Sequence, residues 1–300
     1  MCLPSYVLRT AYPATIRSKE VMSMSKKTRL IAIGGGEMSD SKAALDEILK
    51  YMKKKSDPRI AVMTVATTES ESAGTKYNNL FRRLGIKHVD VVPIEQREDA
   101  FDAGALRKVE NADGLFFTGG DQLNITSLMG GTPLHTLLHE RYQDGILIAG
   151  TSAGAAMMSS SMIISGESDA PPKVGGVEIA PGMNMIDGTV IDSHFSQRGR
   201  HGRLLTAIAH YPQVLGLGID EKTAIVFQNG EFKVVGEGVV TVFDGRQVNY
   251  TDLPYRKTDE TVGMFGVCIH VLPAGYSFEM KTRQPIAPKL TKMAGADADI

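Results

Sequence analysis

The sequence predicts an α/β fold: a mostly parallel sheet with helices on both faces. Three observations carry this. Strand-like and helix-like runs alternate from residue 29 to about 160. Three glycine-rich turns fall at the ends of strand-like runs, at residues 34–36, 119–120 and 150–154. Repeated strand–helix units of this kind close only as a parallel sheet, and active groups in such sheets collect at the carboxyl ends of the strands.

The elements follow in order. Arg29 to Ile33 is apolar and stops at Gly34-Gly35-Gly36. A helix follows, capped by Ser39 or Asp40, with Ala44, Leu45, Ile48, Leu49 and Met52 on one face. Pro58 precedes a strand from Ile60 to Ala66, and a helix bearing Tyr77, Leu80, Phe81 and Leu84 ends at Gly85. Strands His88–Val92 and Asp113–Phe117 come next, the second running into Thr118-Gly119-Gly120. Gly145 to Ala149 feeds Gly150-Thr151-Ser152-Ala153-Gly154, and Ala155 to Met158 is compatible with a helix. Beyond Gly166 the pattern changes. Val190–Asp192 and Val214–Ile219 read as strands around a helix from Gln197 to Tyr211. Ala224–Phe227, Phe232–Val235 and Val239–Phe243 read as a β-meander, and Met264–Leu272 as a last strand.

Composition bounds the function. Three hundred residues can bury a large core. Net charge is -1, which offers no general attraction to nucleic acid. No apolar run reaches membrane-spanning length. Two cysteines, Cys2 and Cys268, make neither a disulfide framework nor a zinc set. Residues 1–25 carry Arg9, Arg17 and Lys19 against Glu20 alone and are expected to be a detached extension. Met22 and Met24, just ahead of the first strand, suggest that the natural start lies there. Residues 26–285 are expected to form one α/β domain, and 286–300 a loose tail. The expected compartment is the cytoplasm.

Gly150-Thr151-Ser152-Ala153-Gly154 reads as a nucleophile elbow, in which a sharp strand-to-helix turn lifts a serine hydroxyl clear of the sheet. Such a hydroxyl needs a base. Of seven histidines, His194 and His201 remain as candidates, and His194 is favoured because it directly follows a strand, Val190-Ile191-Asp192, which puts it at a strand's carboxyl end like the elbow. His135 and His139 share a helix face without a third ligand or the glutamate of a zinc-protease helix, so they read as packing residues. The base needs an acid to hold its tautomer. Asp192, Asp220 and Glu221 compete, and spacing leaves Asp220 and Glu221 equal. Ala153 is expected to give one oxyanion donor, and Gly119 or Gly120 the other. Arg198, Arg200 and Arg203 follow the base and suit an anionic substrate, with Asp121 and Gln122 at the same mouth. Gly34-Gly35-Gly36 is a poor dinucleotide motif, since Ser39 stands at the third glycine and the second strand ends without an acid.

The set Thr118-Gly119-Gly120-Asp121-Gln122, Gly150-Thr151-Ser152-Ala153-Gly154-Ala155, Asp192-Ser193-His194-Phe195-Ser196-Gln197-Arg198-Gly199-Arg200 and Gly218-Ile219-Asp220-Glu221 resembles the cyanophycinase family. These are serine-type exopeptidases related to α-aspartyl dipeptidase (peptidase E). The resemblance runs from about Arg29 to the late strands. It implies Ser152 as nucleophile, His194 as base and Glu221 as acid; the oxyanion donors expected from the turns themselves are Ala153 and, of the two glycines, Gly120. It also implies substrate contacts from Gln122, Asp192, Arg198, Arg200 and Arg203, with Asp192 available to a substrate guanidinium. Ser193 departs from the glutamine of some members. The implied substrate is cyanophycin, poly-aspartate with arginine on each side-chain carboxyl, and the product is β-Asp-Arg. A runner-up substrate class is short Asp-X peptides. The implied fold resembles class I glutamine amidotransferases, and the implied state is a homodimer without metal, cofactor, nucleic-acid or membrane partner.

Overall fold

The computed structural model describes residues 29–289. The expected extension at 1–25, and all of the expected tail beyond 289, lie outside the described residues.

The first half builds the predicted parallel sheet. Strand β1 (Arg29–Ile33) leads to helix α1 (Lys42–Met52), β2 (Arg59–Met63) to α2 (Ser70–Arg83), and β3 (His88–Val92) to α3 (Ala103–Glu110). Strand β4 (Gly114–Phe117) is followed by α4 (Gln122–Met129) and α5 (Pro133–Gln143), and β5 (Leu147–Thr151) by the four-residue α6 (Ala153–Ala156). The parallel strands lie in the order β1-β5-β4-β2-β3. Ile31, Ile33, Ile60 and Phe116 face Leu45, Ile48 and Phe81 of α1 and α2 on one side. On the other, Leu115 and Phe117 pack with Val109, Ile125 and Leu138 of α3, α4 and α5. Helix α1 begins one residue after the expected caps: Ser39 and Asp40 fall in a 3-10 turn, and the cap position is Ser41.

The second half departs from a single sheet. Strands β6 (Ser159–Gly166), β7 (Val177–Pro181), β8 (Ile186–Ser193) and β9 (Leu215–Ile219) belong to a second sheet, against which α7 (His201–His210) packs. Strands β10 (Thr223–Gln228) and β11 (Glu231–Gly236) form a hairpin on the free edge of β1. Strand β12 (Val239–Asp244) then crosses back to pair with β9, so the expected meander is shared between the two sheets. Gly236, at φ 120°, and Gly238 make that crossing. The small ribbon β13 (Tyr250–Thr251) and β14 (Met264–Phe265) is separated from edge strand β15 (Cys268–Pro273) by Gly266 at φ 87°. The expected strand 264–272 is therefore broken in two. Strands β16 (Ser277–Glu279) and β17 (Gln284–Ile286) extend the first sheet beyond β11, so regular structure reaches one residue into the expected tail. Among the described residues no helix is long and apolar enough to cross a membrane.

The crossing from the second sheet back to the first places the carboxylate of the site. After β9 the chain passes through Asp220-Glu221-Lys222 into β10, directly above the end of β1. Helix α6 sits on β4 and β5 with almost no clearance. A Cβ at Gly154 would lie 2.4 Å from the Phe117 carbonyl oxygen. Gly154→Ala is accordingly expected to lower stability by about 1–3 kcal/mol through overpacking. Urea unfolding would show this as a lower midpoint at unchanged slope.

Candidate active site

The turn after β5 places Ser152 at φ 54°, ψ −111°, outside the regions a non-glycine residue prefers. Its N–H donates to the Ile33 carbonyl at 2.9 Å, and its hydroxyl is directed over the end of the sheet. His194 follows β8 and also has positive φ, 49°. Its Nε2 lies 2.9 Å from Ser152 Oγ, and its Nδ1 lies 2.6 Å from Glu221 Oε1. A carboxylate can only accept, so Nδ1 donates to Glu221 and Nε2 is left to accept the serine proton. Serine, imidazole and carboxylate thus form one hydrogen-bonded line, supplied by three separate segments.

The choice among acids follows from the same geometry. Asp220 is buried and points the other way. Its two oxygens accept the Ser196 and Val239 N–H groups at 3.0 and 3.1 Å. Asp220 therefore pins the loop that carries His194. Gln197 Oε1 accepts the Glu221 N–H at 2.9 Å, which ties the two loops again. Neither latch is visible in the spacing of the sequence.

His194 is held below its ordinary pKa. Burial is the first cause, the hydrogen bond and charge of Glu221 oppose it, and the cations Arg198 and Arg200 add to it. A neutral imidazole near pH 7 is the form that accepts a proton.

Around Ser152 lies a cavity of about 200 Å³, lined among others by Gly120, Asp121, Gln122, Asp192, Arg198 and Arg200. The Ala153 N–H opens α6 and has no intrahelical acceptor. Gly119 lies against the serine: a Cβ there would stand 3.4 Å from Ser152 Cβ. Gly120 has φ 144°, and a Cβ on it would overlap the Ala66 carbonyl, 2.0 Å away. Only glycine lets position 120 take this backbone conformation against the Ala66 carbonyl. Gln122 donates Nε2–H to the Ile163 carbonyl at 2.6 Å and turns its other face to the cavity.

The three arginines are not equivalent. Arg203 donates through Nε and Nη2 to the two oxygens of Asp192, at 2.7 and 2.5 Å. Arg200 donates through Nη1 to Asp192 at 3.1 Å and to the Ser193 carbonyl at 2.6 Å. Asp192 is 1 % exposed, and two guanidiniums compensate its charge. It is thus engaged within the chain instead of open to a substrate guanidinium. Arg198 is exposed, and its guanidinium has no hydrogen-bond or ion-pair partner among the described residues. His139 Nε2 lies 3.1 Å from His135 Nε2 on α5, a contact within one helix and away from the cavity.

A serine hydroxyl hydrogen-bonded to an imidazole that is itself paired with a carboxylate is an arrangement that acyl transfer can use. Comparison with known proteins gives the family. Residues 30–235 match the model of peptidase family S51, and the chain belongs to that family. It is a serine-type peptidase. A protein named cyanophycinase from Geminocystis herdmanii is 34% identical over 271 residues, covering 89% of this chain and 98% of the relative. A cyanophycinase of Thermosynechococcus vestitus is 34% identical over 263 residues, covering 86% and 81%. The crystal structure of a peptidase from an acI-B1 actinobacterium superposes with a TM-score of 0.61 at 22% identity, over 84% of this chain and 96% of that one, which is a likeness of fold.

Three outcomes are expected. Activity falls on the acid side as His194 protonates, below the ordinary histidine range. Arg198→Gln removes a cation that lowers the His194 pKa, so the acid limb of kcat/KM moves to higher pH. Asp192→Ala strands two largely buried guanidiniums and costs about 3–5 kcal/mol of stability in denaturant unfolding.

Proposed function

We propose that this chain is a serine-type exopeptidase that hydrolyses cyanophycin, multi-L-arginyl-poly-L-aspartate, to β-Asp-Arg dipeptides through an acyl-enzyme on Ser152. The observation that carries the chemistry is the unbroken line from Ser152 Oγ through His194 to Glu221. The substrate follows from the similarity to cyanophycinases over most of the chain and of the relatives.

In this reading the Gly150–Gly154 turn is a nucleophile elbow and Ser152, His194 and Glu221 form a catalytic triad. His194 Nε2 takes the serine proton as Oγ attacks the scissile carbonyl. The oxyanion that forms is held by the N–H groups of Ala153 and Gly120. The imidazolium, steadied by Glu221, returns the proton to the leaving amine. Water then enters on the same base and releases the dipeptide.

Arg198 is the guanidinium available to the carboxylate of the substrate's arginine. Arg200 and Arg203, held on Asp192, make a second positive wall behind it. Asp121, exposed at the rim, caps α4 through one oxygen with the Leu123 N–H at 2.8 Å. Its other oxygen is an exposed acidic group on the cavity wall for a substrate guanidinium, since Asp192 is engaged by Arg200 and Arg203. Gln122 meets the substrate backbone. A cavity of about 200 Å³ suits one terminal unit better than an interior stretch of polymer, which supports removal from a chain end. The same resemblance carries a cytoplasmic homodimer that works without metal or cofactor.

Mass spectrometry of products after incubation with cyanophycin is expected to show β-Asp-Arg. Ser152→Ala should reduce its release by at least about 10⁴-fold. Intact polymer after incubation with folded protein would overturn the substrate. Faster hydrolysis of Asp-X dipeptides than of polymer would favour the short-peptide alternative.

A further inference from the structure

The turn Gly34-Gly35-Gly36 belongs to no part of the chemistry described so far, yet the three segments that carry the site are docked on it and on Ile33 just before it. The Ser152 N–H donates to the Ile33 carbonyl at 2.9 Å, the His194 N–H to Gly34 at 2.6 Å, and the Lys222 N–H to Gly35 at 3.1 Å. Three consecutive carbonyls thus receive the elbow, the histidine loop and the residue after Glu221. The three donors share a second property. Ser152, His194 and Lys222 each have positive φ, at 54°, 49° and 56°. Strained backbone persists only where its surroundings over-determine it, and here each strained residue has its N–H fixed to the same turn.

The turn is also in contact with the side chains. A Cβ on Gly35 would lie 2.3 Å from His194 Cε1 and 2.4 Å from Nε2, so the imidazole rests against bare backbone. A Cβ on Gly36 would stand 3.4 Å from Glu221 Cβ, which is ordinary contact. A Cβ on Gly34 would meet the Asp220 carbonyl at 2.1 Å. Gly35 itself is buried at φ 105°, and Gly36 has φ 87°.

We propose that Gly35 is a positioning residue, and that the Ile33–Gly36 turn is the template that brings serine, imidazole and carboxylate into line. This rests on the triad reading given above. Any side chain at position 35 displaces the His194 ring from both Ser152 and Glu221, while Arg200 and Arg203, held by Asp192 of β8, stay in place. Misplacing a reacting group by about an ångström can cost roughly a hundredfold in rate.

The test compares Gly35→Ala, Gly36→Ala and Gly85→Ala, with Ser152→Ala as reference. Gly85 has φ 92° but open space around its Cβ position, so its alanine variant carries the left-handed strain without the contact. Each variant is checked for cooperative unfolding, then assayed for kcat and KM on cyanophycin and for the pH dependence of Ser152 acylation by a serine-directed probe. Gly35→Ala is expected to lose about a hundredfold or more in kcat with KM within about twofold, and to acylate with an altered acid limb. Gly85→Ala should keep its kcat. Gly36→Ala, whose methyl makes only ordinary contact with Glu221, should keep its kcat within about threefold. Should Gly35→Ala not fold, Gly35→Ala/His194→Ala, which removes the ring that the methyl would meet, is expected to recover cooperative unfolding, and its failure to do so would overturn the template. A folded Gly35→Ala with near-normal kcat, or an equal loss in Gly85→Ala, would overturn the template. Undiminished activity in Ser152→Ala would instead overturn the triad reading beneath it.

Discussion

Ser152 holds a backbone conformation that costs a residue with a side chain on the order of 1–3 kcal/mol. It is kept there by packing from both directions. Gly154, two residues on, sits against the Phe117 carbonyl, and the Ser152 N–H is fixed to the end of β1. The same strand end receives His194 and Lys222. The site is therefore made of strained loops whose geometry is enforced by a sheet that does not itself react. Stability resides in the parallel strands and their apolar faces, and reactivity in the turns above them. Loss of that docking would release the strain and separate the three groups at once.

Two sheets are needed because the three groups come from both. Strand β5 of the first sheet delivers Ser152, and β8 of the second delivers His194. Glu221 lies on the passage from β9 to β10, where the chain moves from the second sheet to the first. Asp220 and Gln197 then tie the histidine and carboxylate loops to each other through backbone N–H groups. The division of labour between adjacent acids is thus geometric. Asp220 turns inward to backbone donors, and Glu221 turns outward to the imidazole.

Much of this was legible in the sequence, because parallel strands buried on both faces leave short apolar runs that stop at glycine. Strands β1 and β3 fall where those runs predict, and Ser152 and His194 meet because each directly follows the carboxyl end of a strand. What was not legible involves contacts between distant segments. Strand β6 opens with the polar run Ser159-Ser160-Ser161, in which the Ser159 hydroxyl turns back to the Ala156 carbonyl and the Ser160 hydroxyl reaches the Thr189 carbonyl of β8, a partner that the sequence does not show. The passage of β12 to the second sheet turns on Gly236 and Gly238, which look like any hairpin turn. The pairing of Asp192 with Arg200 and Arg203 joins a strand to a helix, and spacing alone could not distinguish it from an open carboxylate. Gly34-Gly35-Gly36 was conspicuous as a motif, but its meaning lies in the His194 ring that packs on it.

The central claim is that Ser152 is the group that becomes acylated. The most direct measurement is reaction of the folded protein with a serine-directed acylating probe, followed by digestion and peptide sequencing by mass spectrometry. The account predicts a single adduct on Ser152 that fails to form in His194→Ala. Modification elsewhere, or catalytic turnover with Ser152 left unmodified by the probe, would contradict it.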